Sequence, residues 1–135
     1  MAKILIVDDE VSILNMMKMT LQVDGYEVLT STNGPEALKI FHNEAPDVVL
    51  LDVRMPGMNG IEVLGRIKEM NPDAEVIIIS GHGDMEMAVE CLRKEASNFL
   101  TKPVSDELLT LSIKRSLEKV ALKKMHTKGW RNYHL

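Results

Sequence analysis

Val48-Val49-Leu50-Leu51-Asp52-Val53-Arg54-Met55-Pro56-Gly57-Met58-Asn59-Gly60 is the stretch on which the fold turns. Its first four residues are apolar without alternation, the pattern of a parallel strand covered on both faces. They run into a carboxylate, and Pro56, Gly57 and Gly60 then break regular structure. Two flanking runs have the same form. Ile4-Leu5-Ile6-Val7 leads into Asp8-Asp9-Glu10, and Val76-Ile77-Ile78-Ile79 leads into Ser80. The shorter Phe99-Leu100-Thr101 leads into Lys102-Pro103. Strand C-termini of an open parallel sheet converge on one edge, where ligands bind at the reversal of strand order. Carboxylates, a hydroxyl and an ammonium would then share one crevice.

Between these runs the apolar spacing is helical. The sequence predicts strands at 3–7, 27–31, 47–51, 76–79 and 98–100. A first helix, 11–23, carries Leu14, Met17 and Leu21 and stops at Gly25. The second opens at Asn33-Gly34-Pro35 and buries Ala37, Leu38 and Phe41. The third carries Ile61, Leu64 and Ile67 as far as Asn71-Pro72. Asp84 is placed to cap a fourth, with Met85, Ala88, Leu92 and Ala96 as its apolar face. Ser105 caps the last, with Leu109, Ile113, Leu117 and Val120 in register. Polar Thr30 and Ser31 put the second strand at an edge. Alternating strands and helices with right-handed crossovers make an α/β, doubly wound, five-stranded parallel sheet with five helices. Taken in the flavodoxin-like order 2-1-3-4-5, the first and third strands are neighbours, and Asp8, Asp9 and Asp52 lie close together.

A length of 135 residues suits one domain, divided here into 1–122 and an extension or start of a linker at 123–135. Only five residues are aromatic, so aliphatic residues and ten methionines fill the interior. Met55 and Met58, beside the loop, are either packing or partner contacts. The single cysteine, Cys91, excludes an internal disulfide and reads as an inert helix residue. The N-terminal apolar run is too short for a signal peptide, and nothing approaches the ~18 apolar residues of a membrane span. These features point to a cytoplasmic chain without membrane association. Residues 1–117 carry 11 basic and 19 acidic side chains, whereas 118–135 carry 5 and 1. The acidic body disfavours direct nucleic-acid binding. Lys128, Trp130, Arg131 and Tyr133 could suggest such contact, but a helix extension or linker is the simpler reading of so short a terminus.

Three carboxylates in one crevice must protonate or hold a cation, and an all-oxygen site suits Mg²⁺. Lys102 supplies a fixed positive charge. Metal, ammonium, hydroxyl and a carboxylate nucleophile are the parts that phosphoryl transfer to Asp requires. Over roughly residues 2–120 the sequence resembles the CheY-like receiver domain of two-component response regulators. The resemblance rests on Asp8-Asp9, the Asp52-to-Gly60 stretch, Ser80-Gly81 and Lys102-Pro103, in order and at family spacing. It implies that Asp52 is the phosphoacceptor, loaded from a histidine kinase or phosphotransfer protein. Asp8, Asp9, Asp52 and the Arg54 backbone carbonyl would hold Mg²⁺, with Asp9 the more direct ligand of the acidic pair. Ser80 and Lys102 would contact the phosphoryl group. Phe99 falls where the family has an aromatic switch, and without a hydroxyl it would act by packing; simple core is the competing reading. Arg54 and His82 fall where the phosphate's lifetime is set, and two bulky groups there predict slow dephosphorylation. The readout would be the surface of the fourth helix, fifth strand and fifth helix, docking an output partner or domain, with homodimerisation on phosphorylation a further option.

Competing readings fare worse. Lone Asp residues at strand ends are commonly exposed turn residues, but Ser80 and Lys102 stand at matching positions here. Gly81-His82-Gly83 lacks the third glycine of a dinucleotide fingerprint, and no phosphate loop with Lys-Ser/Thr occurs. Asp52-Val53-Arg54 lacks the second Asp of a haloacid-dehalogenase-type phosphatase. His82, with no second His at ligand spacing, is an exposed loop residue rather than a metal ligand. A receiver-like module that only binds partners would be expected to lack an acidic residue or the lysine. The expectation is therefore a phosphorylated signalling switch, not an enzyme acting on an external metabolite.

Overall fold

The structure, a computed structural model, describes the backbone of residues 1–133 and the side chains of residues 1–125. Five parallel strands, β1 (Lys3–Val7), β2 (Glu27–Ser31), β3 (Val48–Asp52), β4 (Glu75–Ser80) and β5 (Asn98–Thr101), form one sheet in the order β2-β1-β3-β4-β5. Five helices connect or follow them: α1 (Val11–Val23), α2 (Gly34–Glu44), α3 (Gly60–Met70), α4 (Met85–Arg93) and α5 (Asp106–Tyr133).

The central strands send alternate residues to opposite faces, as the two-residue period of a strand dictates. Leu5, Val7, Val49, Leu51, Val76 and Ile78 meet α2, α3 and α4 through Phe41, Leu64, Ile67 and Cys91. Ile4, Ile6, Val48, Leu50, Ile77 and Ile79 meet α1 and α5 through Leu14, Met17, Leu21, Leu109 and Ile113. Both faces are therefore apolar, which explains why β3 and β4 read as unbroken hydrophobic runs.

Strand ends and caps differ in detail from expectation. β3 begins at Val48, because Asp47 directs its carboxylate to the Lys3 N–H at 2.8 Å. β3, β4 and β5 each extend one residue further, so Asp52, Ser80 and Thr101 belong to the sheet. Asn33 and Asn59 cap α2 and α3 by accepting the Glu36 and Glu62 N–H groups, and Ser105 accepts the Leu108 N–H. Asp84 sits at the start of α4 but makes no side-chain cap.

The face predicted for α4 is also corrected. Ala88 and Cys91 are its buried residues and Met85 and Leu92 are exposed, while Ala96, past the helix end, is buried in the same core as expected. Cys91 is small and apolar enough to pack like Ala, and burial pushes its thiol up to about 11, as expected of an inert thiol. Met55 is buried and Met58 partly so, both in packing. α5 runs without a break through residues 122 and 123. Near that point Lys123 donates to the buried Glu75 carboxylate at 2.7 Å and to the Asp73 carbonyl at 3.0 Å, fastening the helix to the start of β4. Burial is the largest influence on Glu75 and works to raise its pKa, but hydrogen bonding from Lys123 and Ser97 and the positive charges of Lys123 and Lys119 together prevail, and the net shift is downward. Lys128, Trp130, Arg131 and Tyr133, as side chains, lie outside the described residues.

Candidate functional site

The site forms where β1 and β3 lie side by side at the C-terminal edge of the sheet, while the helices after them leave on opposite faces. That divergence opens the crevice. β1 delivers Asp8 one residue past its end, fully buried. β3 delivers Asp52 as its last residue, 3% exposed. The Glu10 N–H donates to Asp8 Oδ1 at 2.8 Å, and the Arg54 N–H donates to Asp52 Oδ1 at 3.1 Å. Each is a local turn in which an Asp accepts the N–H two residues on.

The first of these turns decides which acids meet. One oxygen each from Asp8, Glu10 and Asp52 lie within 4.8 Å of one another. Asp9 is exposed and is not in that group. Glu10 was visible in the sequence only as the third member of an acidic triplet. Its convergence with Asp8 follows from the turn, which brings positions i and i+2 to one side.

Lys102, just after β5, reaches into the group from across the sheet. Its Nζ lies 2.8 Å from Glu10 Oε1, 3.2 Å from Asp52 Oδ2 and 3.3 Å from Asp8 Oδ2. Burial works to lower its pKa, but Glu10, Asp52 and Asp8 prevail and hold it well above the ordinary lysine value. Asp52 responds oppositely. Burial, reinforced by the Asp8 charge, raises its pKa to about 7 against the pull of the Arg54 N–H and Lys102. One lysine therefore does not compensate the acids around it.

A hard divalent cation fits this environment. Asp8 Oδ2 is buried and accepts no hydrogen bond, although Lys102 stands at ion-pair distance. Buried carboxylates with an open oxygen and a neighbouring carboxylate of raised pKa are a donor set short of positive charge.

Ser80 is 1% exposed, and its hydroxyl donates to the Leu100 carbonyl at 3.5 Å. The Lys102 N–H donates to the Ser80 carbonyl at 2.8 Å, so β5 delivers the lysine in step with β4. Phe99 is partly buried against the α2–α3–α4 core. His82 is exposed. The Arg54 side chain turns toward Asp84, with Nε and Nη2 at 2.7 and 2.6 Å from Asp84 Oδ1. The pairing holds the Asp84 carboxyl below the usual range.

Below the acceptor, Gly60 opens α3 with its N–H on the Val53 carbonyl at 2.9 Å. A Cβ there would stand 2.6 Å from Val53 Cα and 2.7 Å from the Asp52 carbonyl oxygen, so only glycine fits.

Fold and edge together define a class of phosphorylation-controlled switches. The response regulator receiver domain family matches residues 4–114, and the chain belongs to that family. It is 36% identical over 115 residues to the sporulation initiation phosphotransferase F of Bacillus subtilis, covering 85% of this chain and 93% of that protein. It is 37% identical to the regulatory protein AtoC of Escherichia coli over 90% of this chain but only 26% of AtoC. The chain thus spans about a quarter of the length of such larger regulators. A receiver domain protein from Clostridium thermocellum superposes with a TM-score of 0.87 at 39% identity, covering 90% of this chain and 98% of that one. NtrX from Brucella abortus superposes with a TM-score of 0.89 at 37% identity, over 94% of this chain and 30% of NtrX.

Proposed function

We propose that Asp52 accepts a phosphoryl group from the phosphohistidine of a sensor histidine kinase or phosphotransfer protein, with Mg²⁺ as the resident ion. The observation that carries this reading is Lys102 Nζ, 3.2 Å from Asp52 Oδ2, beside buried acids with an unfilled oxygen. The ion would be held by Asp8 and Asp52 and, as the family likeness implies, by Asp9 and the Arg54 backbone carbonyl. When bound it supplies charge neutralisation to the phosphoryl oxygens.

Asp52 Oδ attacks phosphorus as the bond from phosphorus to the donor imidazole nitrogen breaks, and the imidazole leaves with its electron pair. The Arg54 N–H steadies the other Asp52 oxygen. Lys102, already among the carboxylates, pairs with the incoming phosphoryl oxygens. Ser80 exchanges the long bond to the Leu100 carbonyl for one to the phosphoryl group. Water attack on phosphorus later returns Asp52 and inorganic phosphate. No external metabolite is turned over, so the domain is a phosphoprotein and not an enzyme in the usual sense.

The surface of α4, β5 and α5 would carry the signal to an output domain or partner, or to a second copy on phosphorylation. Apolar Leu92 on α4 and Leu108 on α5 stand exposed on these elements. Phe99, on the strand between them, would respond by repacking. Among the described residues no helix is long and apolar enough to cross a membrane, in keeping with a cytoplasmic site of action.

Intact-mass spectrometry after incubation with Mg²⁺ and acetyl phosphate tests the reading. One phosphoryl adduct is expected, lost in Asp52→Asn and without metal. An adduct that persists in Asp52→Asn would place the acceptor elsewhere.

A further inference from the structure

Asp84 occupies the N-cap position of α4, where an aspartate ordinarily accepts N–H groups of the first turn. Here it does not. Oδ1 is taken by the Arg54 guanidinium, and Oδ2 accepts the Gly81 N–H at 3.2 Å. The Asp84 side chain is 7% exposed and that of Arg54 68%. A buried carboxylate thus leaves a helix end uncapped to hold a solvent-facing cation from another loop. Arg54 lies two residues beyond the acceptor and donates its own N–H to it. Gly81 directly follows Ser80. The pair therefore ties the loop that follows the acceptor to the loop that follows the hydroxyl.

We propose that Asp84 is a positioning residue that holds Arg54 off the acceptor in the unphosphorylated domain. Phosphorylation draws Arg54 to the phosphoryl oxygens and releases the Asp84 carboxylate to cap α4. This rests on the reading of Asp52 as phosphoacceptor. A planar guanidinium matches phosphoryl oxygens as well as it matches a carboxylate, and the new group carries more negative charge. Once freed, Asp84 gains the N–H donors of the first turn of α4. The change falls in the 81–84 loop and the start of α4, immediately after Ser80.

Asp84→Asn keeps an oxygen for the Gly81 N–H but loses the charge that holds Arg54. With the full chain, Mg²⁺ and acetyl phosphate, Asp84→Asn is expected to load phosphate about threefold faster, the scale of a partly solvated ion pair. Adding Arg54→Ala is expected to remove that gain. In the wild type the Arg54 Nε NMR resonance, assigned by its loss in Arg54→Ala, is expected to shift on phosphorylation. A purely structural Asp84 would move neither readout. A wild type that loads phosphate while the resonance stays put overturns the proposal, as does a gain that persists in the double variant. A wild type that does not load overturns the Asp52 reading as well, and is recognised because all variants fail alike. The wild-type resonance decides the matter even if Asp84→Asn does not fold.

Discussion

At the residue scale the site is governed by the imbalance between acids and Lys102. Asp52 has a pKa near 7 against an ordinary 3.8. A carboxyl whose folded pKa is raised favours its neutral form in the fold. Its stabilising contribution is full below about pH 4 and is lost as pH rises through 7. In metal-free buffer, Asp52→Asn should therefore be more stable than the wild type by an amount that grows between pH 4 and 7 and then levels off. The ceiling is about 4 kcal/mol, the free energy equivalent to the gap between the folded and unfolded pKa of this one carboxyl. Denaturant titrations across that range check it; a constant difference would mean that Asp52 is already ionised at low pH. Slow dephosphorylation would also be set by single residues. Arg54 is engaged by Asp84 and His82 is exposed, so obstruction of water by Arg54 would begin only once it leaves Asp84. An Arg54→Ala variant should then lose phosphate faster after the donor is removed, with His82→Ala having the smaller effect.

Among the elements, the start of α3 matters most, because it presses on the backbone that carries the acceptor. Gly60→Ala would drive a methyl into Val53 Cα and the Asp52 carbonyl, neither of which can yield without moving the strand end. A loss of about 1–3 kcal/mol is expected from such overpacking, read by chemical denaturation, together with slower phosphate loading. Gly65→Ala, mid-helix with open space around it, should be neutral or stabilising. α4 shows the limit of reading faces from spacing. Met85 and Leu92 share the helical spacing of Ala88 yet are exposed, whereas Ala88 and Cys91 are buried and Met87 packs partly against the same core. Spacing marks a face, but how the helix lies on the sheet decides which of its members are covered.

For the whole molecule, the proposed Mg²⁺ would be coupled to folding through Asp8 and Asp52, which stand just past β1 and at the end of β3 and meet only in the folded sheet. Millimolar Mg²⁺ should raise the melting temperature of the wild type, with a stabilisation on the order of 1 kcal/mol at tenfold the dissociation constant. Asp8→Asn should abolish most of the rise. An equal rise in that variant would place the ion elsewhere. At the far end of the sheet, the Lys123–Glu75 contact sets the path of α5 relative to β4 and so links the helix extension to the core.

The sequence alone determined the five strands and five helices, because both faces of the sheet are covered and each central strand must be apolar throughout. It also marked Asp8, Asp52, Ser80 and Lys102, since strand ends are where polar residues interrupt those runs. Tertiary structure decided what short-range pattern cannot carry. Strand order had to be seen, as local spacing is indifferent to which strands pair. A turn at Asp8 brought in Glu10 and left Asp9 in solvent. The pairing of Arg54 with Asp84, thirty residues apart, took from α4 the cap its sequence promised. A side chain that can satisfy two partners chooses by distance in space, and only the folded chain sets that distance.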